Sequence, residues 1–66
     1  METYTASEAV TELERLAEAA ENENYHTEAS VLWEASDLVA FTTMRTLVIV
    51  PAAYGGITKF IVVPDI

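Results

Sequence analysis

The sequence has no cysteine, one histidine, three basic residues and only two glycines and two prolines in 66 residues. Without cysteine there can be no disulfide, no thiolate nucleophile and no cysteine-ligated zinc. The same absence fits a reducing compartment. A zinc ion needs three or four ligands, and His26-Thr27-Glu28 offers two at most. His26 therefore reads as a solvated side chain near a helix start. Ser7, Ser30 and Ser36 have no candidate base with an orienting acid around it. Paired glutamates do acid–base work only inside a pocket, and a chain this short has little room for one. No catalytic residue, no metal ligand and no cofactor is expected, and the chain does not read as an enzyme.

The shortage of bases also counts against direct nucleic-acid binding, because a phosphate backbone is held by Lys and Arg. Long hydrophobic runs are missing too. Residues 47–63 are apolar on average, but Pro51, Gly55, Gly56 and Lys59 interrupt them. A spanning helix needs about 20 largely apolar residues. No basic segment followed by an apolar run opens the chain, so no signal peptide is expected. The expectation is a soluble, cytoplasmic protein without a membrane partner.

Hydrophobic residues nevertheless make up 52% of the chain, too many for a disordered acidic tail. Residues 1–66 form one small domain. A chain of this size buries only about 60% of the surface that its unfolded form exposes, so its stability is marginal.

Residues 5–24 read as an amphipathic helix. Thr5-Ala6-Ser7-Glu8 has the capping-box form, in which a cap hydroxyl and the glutamate three residues on satisfy two orphan N–H groups. Ala6, Ala9, Val10, Leu13, Leu16, Ala17 and Ala20 then fall on one arc at helical spacing. Asn22-Glu23-Asn24 is a good stop. Residues 25–40 give a second helix, capped by Asn24 or Thr27, with Tyr25, Ala29, Leu32, Ser36 and Val39 on its stripe. Ser30-Val31-Leu32-Trp33 alone would also suit a short strand, and the helix could run past Ala40 towards Met44.

Residues 41–50 are strand-compatible, Pro51 to Gly56 is the clearest turn, and residues 57–63 read as a second strand. Trp33, Phe41 and Phe60 are candidate core residues. Tyr54, at the turn tip, reads equally as a contact residue or as a ring folded over its own turn. Arg45 and Lys59 fall on the hairpin, where charge blunts an edge strand. A lone hairpin needs a cover for its apolar face. The expected fold is α+β, two N-terminal helices packed on a C-terminal antiparallel β-hairpin in the order α-α-β-β. A hairpin edge this apolar could also pair with its twin, so a monomer or a weak homodimer is expected.

Charge is the strongest signal. Eleven acids against three bases give a net charge of −8. Residues 1–38 hold ten of the acids and one base, Arg15, whereas residues 39–64 hold Arg45, Lys59 and no acid. On the first helix Glu8, Glu12 and Glu23 lie along one border of the stripe and Glu14, Glu18 and Glu21 along the other. Glu28, Glu34 and Asp37 continue the acidic surface on the second helix. Like charges three or four residues apart cost a helix a few tenths of a kcal/mol per pair. A solvated, soluble face is the bland explanation of such rows, but ordinary surfaces mix signs. A surface of one sign is suited to being steered onto a basic groove.

In size, lack of cysteine, acidity and expected architecture the whole chain resembles the small phage-encoded anti-CRISPR proteins that inhibit type I systems. That class shares no diagnostic motif. The resemblance implies a non-enzymatic inhibitor in the host bacterial cytoplasm. It would block target-DNA binding by a CRISPR effector such as Cascade, with Glu8, Glu12, Glu14, Glu18 and Glu21 in place of phosphates. The alternative is an acidic protein-interaction module such as an antitoxin or a small scaffold subunit, although no basic DNA-binding segment or disordered wrapping tail accompanies it. A third reading, adaptation to high salt, would spread acids over residues 39–64 as well.

Overall fold

The computed structural model describes residues 1–52 and 56–65. Its elements are β1 (Glu2–Thr5), α1 (Ala6–Asn22), α2 (His26–Ala40), β2 (Thr46–Pro51) and β3 (Ile57–Val63). The three strands form one mixed sheet in the order β1-β3-β2. The expected α-α-β-β order is thus incomplete, because a strand precedes the helices. Glu2–Thr5 supply that strand. It lies parallel to β3, Glu2 opposite Phe60 and Thr5 opposite Val63. Thr3, Tyr4 and Thr5 are strand-favouring residues, but four residues are too few to show a period.

The junction between β1 and α1 needs no linker. An N-cap residue has extended backbone angles, and Thr5 has φ −70° and ψ 164°, so it ends the strand and caps the helix together. The capping box is formed: the Thr5 side chain accepts from the Glu8 N–H, and the Glu8 carboxylate accepts from the Thr5 N–H at 2.9 Å. At the other end of α1, Asn24 sits in the left-handed region at φ 64°. Tyr25 N–H then donates to the Ala20 carbonyl at 2.8 Å and Asn24 N–H to that of Glu21 at 3.0 Å. These two bonds make a Schellman motif with asparagine in the usual glycine position. Tyr25 is the N-cap of α2, in place of Asn24 or Thr27, and no side chain caps that helix.

The helices pack on each other through Ala6, Ala9, Leu13, Ala17 and Ala20 of α1 and Ala29, Leu32, Ser36 and Val39 of α2, all buried. Small residues on both faces let the backbones approach closely. Tyr25, assigned to that stripe, is exposed at the cap. Together α1 and α2 cover one face of the sheet, α1 over β1 and β3 and α2 over β2. On that face lie Val48, Val50, Phe60 and Val62, and Tyr4 meets Phe60 edge to face with centroids 5.4 Å apart. Trp33 is half-buried against the same core. Phe41 is not core: it is the C-cap of α2, where the chain turns away towards β2, and is 83% exposed.

The hairpin is present as an antiparallel pair, Leu47 opposite Ile61 and Pro51 opposite Ile57. Tyr54 and Gly55 of its turn lie outside the described residues. Lys59 does not blunt an edge, because β3 is the central strand; it points to the uncovered face of the sheet, opposite Ile49. A stability of about 3–10 kcal/mol is expected for a domain of this length. Truncating the buried Phe60 ring (1% exposed) as Phe60→Ala should cost about 3–5 kcal/mol. Most of the cooperative urea transition should then be lost; a midpoint close to that of the parent would disprove the central position given to Phe60.

Candidate functional site

The candidate site is the outer surface of α1 and the start of α2. The amphipathic pattern that buries Leu13 and Ala17 turns the intervening glutamates outward. Glu14 and Glu18 are exposed and make no hydrogen bond or ion pair among the described residues. One helical turn separates them, about 6 Å of rise. A DNA strand carries one phosphate per about 3.4 Å of axis, so such a row matches roughly every second phosphate.

The other α1 carboxylates are engaged locally. Glu8 belongs to the capping box. Glu12 is half-buried and chelated by Arg15, whose Nε donates to Oε2 at 3.1 Å while its Nη2 donates to Oε1. That pairing holds the Glu12 carboxyl below its ordinary value, by hydrogen bonding first and by charge second. Arg15 therefore offsets one acid and leaves Glu14 and Glu18 uncompensated. Glu21 faces His26 across the helix–helix turn, Oε2 lying 3.6 Å from Nδ1, an ion pair only when the imidazole is protonated.

On α2 the expected residues separate. Glu28 is half-buried, and its Oε2 is sealed from solvent with no hydrogen-bond partner among the described residues. It points inward rather than outward. Glu34 is exposed but lines a groove between α2 and β2, apart from the α1 rows. Asp37 is exposed on α2. The structure thus presents the α1 acids as rows and disperses those of α2.

Two features escaped the sequence. Asp65 clamps the first turn of α1: Ser7 N–H donates to both carboxylate oxygens at 3.1 Å and the Ser7 hydroxyl donates to Oδ2. The anion also complements the positive helix end. The second feature is exposed apolar surface on the acid-poor side, with Leu38 75%, Leu47 52% and Ile49 55% exposed. Its helical part was legible, since Val31, Ala35 and Leu38 make a second stripe at spacings of four and three. Among the described residues no group of acids or histidine could hold a metal ion, and no helix is long and apolar enough to cross a membrane. Comparison with protein-family models, curated proteins and solved structures finds no match to this chain.

The Asp65 clamp carries a pH dependence. Hydrogen bonds from the Ser7 side chain first, and its backbone second, hold the Asp65 carboxyl below the ordinary aspartate value near 3.8. A carboxylate depressed on folding stabilises above its unfolded value and stops doing so as pH falls through its folded value. Melting temperature should therefore fall as pH drops below about 4. Asp65→Ala should lower it at neutral pH and flatten that acid slope. Parallel thermal melts from pH 7 to pH 3 would test this, and an unchanged slope would refute the clamp.

Proposed function

We propose that this protein is a non-enzymatic inhibitor whose acidic α1 face occupies a basic nucleic-acid-binding surface on another protein. The observation that supports this most is the pair of uncompensated, outward glutamates, Glu14 and Glu18, continued by Glu21, on a helix whose only base is already bound to Glu12. A surface of one sign raises the association rate with an oppositely charged groove and excludes partners of like charge. Glu8 and Glu12 border the face while also serving the fold, and Asp37 and Glu34 add negative potential at longer range. Glu28 contributes little, since its carboxylate is turned inward.

The resemblance to small inhibitors of type I CRISPR systems directs the proposal to one target, the DNA-binding surface of Cascade. Carboxylate rows at about twice the axial spacing of phosphates suit a competitor that fills the potential of a DNA groove without copying its geometry. The protein itself binds no nucleic acid in this reading.

The test is direct binding to purified type I Cascade, at low and moderate salt, with duplex target DNA as competitor. Affinity should fall as salt rises, and DNA should displace the protein. The triple reversal Glu14→Lys, Glu18→Lys and Glu21→Lys should weaken binding on the order of 100-fold, taking about 1 kcal/mol for each lost contact. Lys and Glu have similar helix propensities, so circular dichroism should be unchanged. Binding that survives the reversal would sink the choice of face. Absence of Cascade binding at low salt would sink the choice of target.

A further inference from the structure

The composition of β2 and β3 is at odds with a single layer of helices. A sheet that is wet on one face alternates apolar and polar residues, whereas strands buried on both faces read as continuous apolar runs. β2 holds Leu47-Val48-Ile49-Val50 and β3 holds Phe60-Ile61-Val62-Val63. Half of each run, Val48, Val50, Phe60 and Val62, packs under the helices. The other half lies on the open face, Leu47 opposite Ile61, with Ile49, Ile57 and Val63 around them. A contiguous apolar patch on a small protein marks a contact surface.

Charge specifies the partner. Lys59 stands on the open face opposite Ile49. Continuing the register one step sets Arg45 level with Val63, and alternation puts it on the same face. Both cations are exposed, and neither has an ion pair among the described residues. The acids are elsewhere. Glu2 lies opposite Phe60 and shares its covered face, Asp65 is bound at the start of α1, and the others belong to α1, α2 and the turn between them. Among the described residues the open face thus carries two cations and no acid, in a chain whose net charge is −8.

We infer that this face takes an acidic amphipathic helix of a partner protein, its apolar stripe on Leu47, Ile49 and Ile61 and its carboxylates on Arg45 and Lys59. Three strands about 4.8 Å apart make a face about 10 Å across, the width of one helix. Four residues of strand separate the levels of Arg45 and Lys59, about 13 Å. Carboxylates two turns apart on a helix are about 11 Å apart, and the long basic side chains span the difference. Net charge decides between a helix and an anionic bilayer. The exposed acids of α1 stand a helix diameter behind the sheet, about 10 Å, which is close to the screening length in 0.1 M salt. A single helix lying on the open face is therefore governed by the two cations beneath it. A charged plane wider than the protein meets the field of the whole chain, −8, and is repelled.

This surface is separate from the acidic α1 face, and no nucleic-acid-binding protein enters its test. The isotope-labelled full chain is titrated with two peptides of about 18 residues, about five turns, that share one Leu/Ala stripe and carry either Glu or Lys along its borders. The Glu-bordered peptide should bind saturably and shift the amide signals of Leu47, Ile49, Lys59 and Ile61 before those of α1. The Lys-bordered peptide should shift those of Glu14 and Glu18 instead. Arg45→Glu combined with Lys59→Glu should weaken the Glu-bordered peptide about tenfold or more. Both side chains are exposed, so circular dichroism should be unchanged. Ile49→Asp should weaken binding as well while leaving both cations in place. No saturable binding of the Glu-bordered peptide up to millimolar concentration overturns the proposal. So does binding that shifts α1 first, or that is indifferent to both variants. Co-sedimentation with vesicles of equal parts phosphatidylserine and phosphatidylcholine, lost in Ile49→Asp, would make a bilayer the occupant and overturn it too.

Discussion

One layer of helices can cover only one face of a sheet, and the arrangement follows from that constraint. Phe60 marks the covered side. It stands on the central strand, opposite Glu2 on one neighbour and Val48 on the other, with the Tyr4 ring against its own. β1, through Tyr4, and the helix pair pack around it in one core. Alanine-rich helix faces make this cover thin enough to close over a small sheet. Among the described residues no second layer covers the opposite sheet face, and Leu47, Ile49 and Ile57 remain in contact with water.

Much of this was legible in the sequence where a residue pattern was long enough to repeat. The arc from Ala6 to Ala20 and the Thr5–Glu8 box appear as read, and β3 covers residues 57–63 as read, whereas β2 begins only at Thr46, five residues into the segment read as strand-compatible. The failures are equally physical. Four residues cannot display a period, so β1 was visible only as strand-favouring composition. Phe41 was assigned to the core because aromatic rings favour burial, yet its place is set by where α2 stops. In the candidate site, spacing placed the α1 acids outward; Glu8, Glu14, Glu18 and Glu21 are exposed, and Glu12 is half-buried. Spacing could not show that Glu12 is chelated by Arg15 or that Glu28 turns inward. Nor could it find Asp65, whose contact with Ser7 spans 58 positions of sequence.

The fold divides its surface into two regions of different physics. Acids gather on the helix that lies over β1 and β3, and apolar side chains on the helix and strand at the other edge. Clustered carboxylates repel one another, while exposed aliphatic side chains gain by leaving water. A small protein that carries both must keep them apart. Strand order achieves this here, since β1 and β2 flank β3 on opposite sides.

The position of β1 also sets an order of events during synthesis. Among the described residues its neighbour in the sheet is β3, and Glu2 pairs with Phe60 near the opposite end of the sequence. β1 is made before β3 and stays unpaired until residues 57–63 have been made. Until then the part of α1 that packs on β3 lacks that cover. The dense negative charge of α1 is already present during that interval, and nascent chains of like charge hold each other at a distance.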